Sequence, residues 1–433
     1  IEQDSGRPRI PSRFLEQSCE SLLQRPVRTE DILNASLGGL TRRVAPGPVG
    51  KAEEALDTWE YDLATHMEAD RATAISYTSE LSTTFQRAAE MDSARWARTD
   101  FGPFDGKISD DKLLSRLADQ HGLFRHAVSP TRLETYAQCP FRYFARYLLG
   151  IEEAEEPTEE PEIPPMERGS LLHKLYCELY RRELRGVNLA ELNEEHISRI
   201  LSTAEELLDE LGEDHARARP ASWEAARYKA LNQLRQALAT EQAENEGARP
   251  EAFEYEFGET HGNALVLGQE PEHSVRVRGR IDRIDGLSGD GIQVIDYKTG
   301  SSRCYKKDSF EGGTQLQLPL YLLAAAGDRD VSSGQARYFF VTEPSFTSEF
   351  DMDVLSERRE DLEHMVRLIL RGVRSGHFFL LPRDVAGGRG RSCRDFCSFR
   401  AMCGATRDKL AEIKYEAGTD PDLRNLMELW DIE

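Results

Sequence analysis

The spacing of hydrophobic and polar positions changes character along the chain. Residues 1–128 read as helical and polar, with breaks at Gly38–Gly39 and across Ala45–Gly50. Ser129 and Pro130 then form an N-cap and first-turn pair. They predict a helix through TRLETYAQCPFRYFARYLLG, with Pro140 kinking or restarting it. The stretch 152–162 holds seven Glu and two Pro and reads as a solvated linker. From Glu167 the pattern is strongly amphipathic, with Leu171, Leu172, Leu175, Leu179 and Tyr180 at helical spacing, and more helix covers 189–245. The period then falls to two. EAFEYEFG, SVRVRGRIDRID and IQVIDYKTG predict strands, and GLSGDG a turn between the last two. A helix over 315–326, a strand in ARYFFVTE and a helix near 356–375 complete the unit, and no internal repeat is visible.

A length of 433 residues predicts roughly two to three domains, and 39% hydrophobic with 8% aromatic content excludes wholesale disorder. Apolar runs such as Tyr321–Ala326 fall far short of the ~20 residues that cross a bilayer. With no signal-peptide start, the expectation is a soluble cytoplasmic protein with no membrane association. The first residue is Ile, which suggests a fragment of a longer chain. Seventy-seven acids against 55 bases give a net charge of −22, which argues against indiscriminate nucleic-acid binding. A local stripe can still oppose the total. Residues 371–403 carry seven Arg against two Asp, and GGRGRS (Gly387–Ser392) is a candidate phosphate-contacting loop. No GxxxxGK[ST] loop is present, so the chain shows no ATP site of that type.

The hairpin 275–299 carries the most chemistry. If its loop centres on Gly289, Asp282 and Asp296 fall opposite each other across the ladder. Like charges so placed repel, and a cation relieves them. Lys298 stands two residues beyond Asp296 and shares its face. Two carboxylates and a lysine on one face suit a hard divalent ion, Mg²⁺ or Mn²⁺, beside an activated water. The bland alternative is a surface hairpin with solvated charges.

GxxxH (Gly169–His173), GRID (Gly279–Asp282), IDYK (Ile295–Lys298) and QxxxY (Gln317–Tyr321) follow in order. Together, over roughly residues 129–410, they resemble the PD-(D/E)XK nucleases of the RecB type. The resemblance implies an α/β restriction-endonuclease-like core, a central mixed sheet flanked by helices, behind a helical N-terminal segment. It implies that His173, Asp282, Asp296 and the backbone carbonyl of Tyr297 are metal ligands. Lys298 would be the catalytic lysine, with Gln317 and Tyr321 a helix-borne pair near the DNA. Glu254 or Glu256 would support the site from the preceding strand.

Cys393, Cys397 and Cys403 form C-x3-C-x5-C near the end, and Cys139 stands upstream in YAQCPFRYF. This set is similar to the iron–sulfur nuclease domain of AddB-type helicase–nuclease subunits, which implies a [4Fe–4S] cluster on the four thiolates. Tetrahedral zinc and buried unliganded thiols remain alternatives. Cys19, Cys177 and Cys304 are expected to be packing residues. The segments would then be 1–128, the tail of a helicase-like region; 129–410, the nuclease domain; and 411–433, a helical tail. The implied activity is divalent-metal-dependent hydrolysis of DNA phosphodiesters, on single strands delivered by a helicase partner in double-strand-break repair. A stand-alone iron–sulfur exonuclease of the CRISPR-adaptation type and a non-catalytic DNA-binding scaffold are the other readings.

Overall fold

The computed structural model describes residues 13–33, 51–55, 57–70, 73, 76, 83–121, 126–152, 163–245, 247–258, 265–268, 274–302, 305–384, 397–403, 407–418 and 420–433. Two compact units are present, Ile1–Ala94 and Arg95–Glu433. In the first, helices Arg13–Leu23 and Thr58–Glu68 agree with the helical expectation, and Cys19 and Val27 are buried against Leu23 and Ile32. No described helix is long and apolar enough to cross a membrane.

The larger unit is built on a five-stranded mixed sheet. Its strands are β1 (Arg249–Phe257), β4 (Gly279–Gly286), β5 (Ile292–Lys298), β6 (Gly334–Phe340) and β7 (Ser345–Asp351), side by side in that order. Among these, only β5 and β6 run parallel. A parallel pair needs a crossover, and the helix Gln317–Arg329 supplies it. Two further strands, β2 (Leu265–Leu267) and β3 (Val275–Val277), form a separate ribbon.

SVRVRGRIDRID, expected as one strand, is therefore two strands in two sheets. The chain breaks between Val277 and Gly279, where Arg278 donates its N–H to the carbonyl of Val128 at 2.9 Å. Gly279, at the break, has no room for a side chain: a Cβ there would lie 2.8 Å from the Tyr321 ring and 2.9 Å from Phe257.

Apolar side chains alternate between the two faces of the sheet. Ile292, Val294 and Ala336 join the cluster around the crossover helix, while Ile295, Tyr297 and Phe339 join the opposite one. The helices on the first face are α1 (Pro130–Gln138), the crossover helix and Arg359–Arg374; those on the second are Pro165–Leu179, Glu194–Leu211 and Pro220–Glu244. In chain order they become α2 (Pro165–Leu179), α3 (Glu194–Leu211), α4 (Pro220–Glu244), α5 (Gln317–Arg329) and α6 (Arg359–Arg374). Pro140 restarts the first helix: α1 ends at Gln138, Cys139 is extended, and a short turn Pro140–Tyr143 follows. Segments flanking 129–410 are part of the same unit. Asp420 accepts the Phe101 N–H at 2.9 Å, Lys414 pairs with Asp105 at 2.8 Å, and Trp430 Nε1 donates to the Ala137 carbonyl at 2.8 Å.

Candidate active site

The β4–β5 hairpin turns tightly at Gly289 and Asp290, both at positive φ, with Leu287 N–H bonded to the Gly291 carbonyl at 2.8 Å. Its pairs run from Gly286 with Ile292 to Arg283 with Ile295, which is the register expected from a loop centred on Gly289. The next pair in that register is Asp282 with Asp296, and there the regular ladder ends. Instead, Asp282 Oδ2 accepts the backbone N–H of Tyr297 at 2.8 Å.

Both carboxylates are buried. Asp296 Oδ2 forms an ion pair with the Lys298 ammonium. Burial holds the Asp296 carboxyl above its ordinary pKa; Lys298 opposes the rise and the charge of Asp282 adds to it. Burial works against the Lys298 charge, yet Asp296 outweighs it and leaves the lysine above its usual value. Lys298 Nζ also donates to Gln317 Oε1 at 2.7 Å and lies 4.9 Å from the centre of the Tyr338 ring.

Helix α2 brings His173 to the same place. Its Nδ1 is 3.4 Å from Asp282 Oδ2, and its ring meets Tyr297 edge-on. Burial lowers the imidazole pKa, but Asp282 and Asp296 raise it further than that. Tyr321, one helical turn beyond Gln317, is buried with its ring edge-on to Phe257. Among the described residues, no three His, Cys, Asp or Glu side chains already stand close enough together to cage a metal ion.

A cleft of about 910 Å³ opens beside this cluster, lined by Arg168, His173, Lys174, Arg181, Glu254 and Arg280 among others. Glu254 sits at φ 50° in β1 and pairs with Arg280 at 2.6 Å. Burial raises its carboxyl pKa, Arg280 opposes, and Asp282 adds to the rise, so Glu254 shares the electrostatic field of the site. Glu256 is exposed outside the cleft lining. Cys177 also lines the cleft, with Arg181 Nη2 at 3.3 Å from its sulfur.

Two groups that sequence reasoning missed complete the surroundings. Glu134 of α1 is buried and accepts the backbone N–H groups of Leu316 at 2.7 Å and Gln317 at 3.0 Å. Burial pushes its carboxyl up to about 7. Its only signal was a charged residue between Leu133 and Tyr136. On the other sheet face, Arg283 is fully buried between Glu241 and Asp285, each bonded at 2.7 Å, and it donates to the Tyr297 hydroxyl at 3.1 Å. In the string RIDRID it looked like one more solvated charge.

The thiols gather elsewhere in the unit. Cys139, Cys397 and Cys403 line one small cavity with Phe141, Arg142 and Phe399. Burial pushes the Cys139 thiol up to about 12, and the neighbouring Cys403 and Cys397 add to the rise. Cys393 and Cys304 lie outside the described residues, as do 153–162 and the loop Gly387–Ser392 with Arg389, Arg391 and Arg394. Arg383, one of the seven arginines of the basic stretch, is used internally: its Nη1 donates to the Glu311 carbonyl and to Thr314 Oγ1.

A mixed sheet whose central hairpin sets an aspartate against an Asp-x-Lys step, with a helix-borne histidine alongside, defines a class of phosphodiester-cleaving enzymes. The description "PD-(D/E)XK nuclease superfamily" matches residues 127–404, and the chain belongs to that superfamily. It is similar to one subunit of the ATP-dependent helicase/deoxyribonuclease of Moorella thermoacetica, 32% identical over 233 residues, which cover 50% of this chain and 20% of that protein. The corresponding protein of Carboxydothermus hydrogenoformans is 31% identical over 242 residues, 54% of this chain and 21% of the relative. That of Clostridium perfringens (strain SM101 / Type A) is 27% identical over 286 residues, 62% and 24%. The chain thus spans a quarter or less of the length of each of these relatives.

Proposed function

We propose that this chain is the DNA-cleaving part of a helicase–deoxyribonuclease subunit, acting on single strands that a helicase partner delivers during double-strand-break repair. Membership of the nuclease superfamily supports hydrolysis of phosphodiesters, and the likeness to helicase/deoxyribonuclease proteins supports DNA as substrate and a helicase as partner. The observation that carries the reading is the opposition of buried Asp282 and Asp296 with Lys298 paired to the second.

These residues fit a hard divalent ion. Asp296 and Asp282 are both buried and face one site, with Lys298 the partner of Asp296 Oδ2, and two carboxylates are what Mg²⁺ or Mn²⁺ asks of a protein, because such ions keep several waters. Asp282, Asp296, His173 and the Tyr297 carbonyl would hold it. When bound, the ion supplies Lewis-acid polarisation of the phosphate and a more acidic water. The protein's own groups do the rest. Tyr297 N–H fixes the rotation of the Asp282 carboxylate. Lys298, held by Asp296 and Gln317, places a full positive charge where negative charge develops on the phosphoryl oxygens or the attacking water. The cations lining the cleft, Arg168 and Lys174 among them, attract the phosphate backbone irrespective of sequence.

The thiol cavity supports a [4Fe–4S] cluster on Cys139, Cys393, Cys397 and Cys403. Three of the four already line one pocket, and four thiolates are what such a cluster needs. The cluster would be a clasp joining the start of the nuclease domain to its end.

The purified chain should degrade end-labelled DNA, single strands in preference to duplex, only with Mg²⁺ or Mn²⁺ present. Asp296→Ala and Lys298→Ala should each lower the rate by at least about 1,000-fold with an unchanged circular dichroism spectrum. Full activity in either variant would refute the site.

A further inference from the structure

Helix α1 ends at the thiol pocket and runs past the active site. Its last residue before Cys139 is Gln138, whose carbonyl accepts the Arg383 N–H at 2.9 Å, and the Ala137 carbonyl is taken by Trp430 Nε1. The cysteine end of the helix is therefore held from two sides. One turn back, Glu134 turns its buried Oε1 onto the first N–H groups of α5, those of Leu316 and Gln317. Those donors have no partner within their own helix, and where the residue before a helix carries a side-chain oxygen it caps N–H groups two or three residues further on. Here Leu316 cannot do so, and the acceptor comes from a helix 182 positions earlier in the chain.

The same helix also orients the Gln317 side chain. Thr131 Oγ1, three residues before Glu134, lies 3.4 Å from Gln317 Nε2. With the amide nitrogen turned toward Thr131, Oε1 faces Lys298 Nζ at 2.7 Å. A reversed amide would point N–H groups at the ammonium, two donors with nothing to accept.

We propose that Glu134 is a positioning residue for the catalytic lysine: by anchoring the N-terminus of α5 to the helix that ends at Cys139, it holds Gln317 against Lys298 and ties the thiol clasp to the active site. The inference rests on the nuclease reading of Lys298. It goes beyond that reading by making activity depend on a carboxyl that touches neither DNA nor metal. What matters is its acceptor oxygen at one fixed distance, so a neutral side chain of the same length should serve.

Single-turnover cleavage of a labelled oligonucleotide, with DNA affinity measured separately in Ca²⁺, tests this. Glu134→Ala and Glu134→Asp should each slow cleavage by about 10- to 100-fold, the effect of a displacement near 1 Å, with DNA affinity within about twofold of wild type. Glu134→Gln should return to within about threefold of wild type. In a Gln317→Ala background, Glu134→Asp should cost little more, because both act through one contact. Should Glu134→Ala fail to fold, the aspartate variant decides. Unchanged rates in the aspartate variant, an equal loss in both backgrounds, or no rescue by glutamine would overturn the proposal. The nuclease reading fails separately, if the wild-type chain does not cleave or if Asp296→Ala does.

Discussion

At the level of single residues, the site is a set of charges whose protonation the fold controls. Asp296 and Lys298 could be read from the strand period, because residues two apart on a strand share a face whatever surrounds them. Glu134 could not, since its role depends on where α5 begins in space. Its pKa of about 7 has a thermodynamic consequence. In the unfolded chain the group ionises near 4.5, so between these values the folded state holds a proton that the unfolded state has lost. Stability from this group is therefore complete below about pH 4.5 and declines as pH rises to 7. Glu134→Gln removes that slope. Urea denaturation should show the variant gaining on wild type by up to about 3 kcal/mol from pH 4.5 to pH 7.5. A constant difference across that range would show that Glu134 is not held neutral.

At the level of elements, the hairpin β4–β5 has two polar faces with different duties. One presents Asp282, Asp296 and Lys298; the other locks Arg283 to Glu241 of α4, to Asp285 and to the Tyr297 hydroxyl. The second set holds β4, β5 and α4 in fixed relation, and so keeps the residue between Asp296 and Lys298 in place. Arg283→Met leaves two buried acids without their partner and should cost about 3–5 kcal/mol of unfolding free energy, read by urea denaturation. The alternation in GRIDRIDG predicted a strand but not this burial, because period two reports which residues share a face and not what covers it. The same limit explains SVRVRGRIDRID. Local pattern favoured one strand, whereas Arg278 turns its N–H to the Val128 carbonyl and the two halves pair in different sheets.

At the level of the whole molecule, residues more than 250 positions apart, Cys139 and Cys403, meet in one pocket, and the C-terminal segment packs back onto α1 through Trp430. A cluster there would close most of the domain into a loop, where cross-linking restrains the unfolded chain most. Cys139→Ser should abolish stoichiometric iron and its visible absorption and lower the melting temperature by about 5–10 °C. Zinc in place of iron, or wild-type protein without either metal, would contradict the cluster. Local spacing along the chain was enough to determine the helix and strand types and the hairpin register that opposes Asp282 to Asp296, and the order of four short motifs was enough to point to the family, because none of these needs to know which surfaces meet. Only tertiary structure decided that Glu134 caps a distant helix, that Arg283 is buried, and that Glu254 rather than Glu256 faces the cleft. Those outcomes depend on which surfaces meet across long sequence separations, where burial and not pattern sets the energy of a charge.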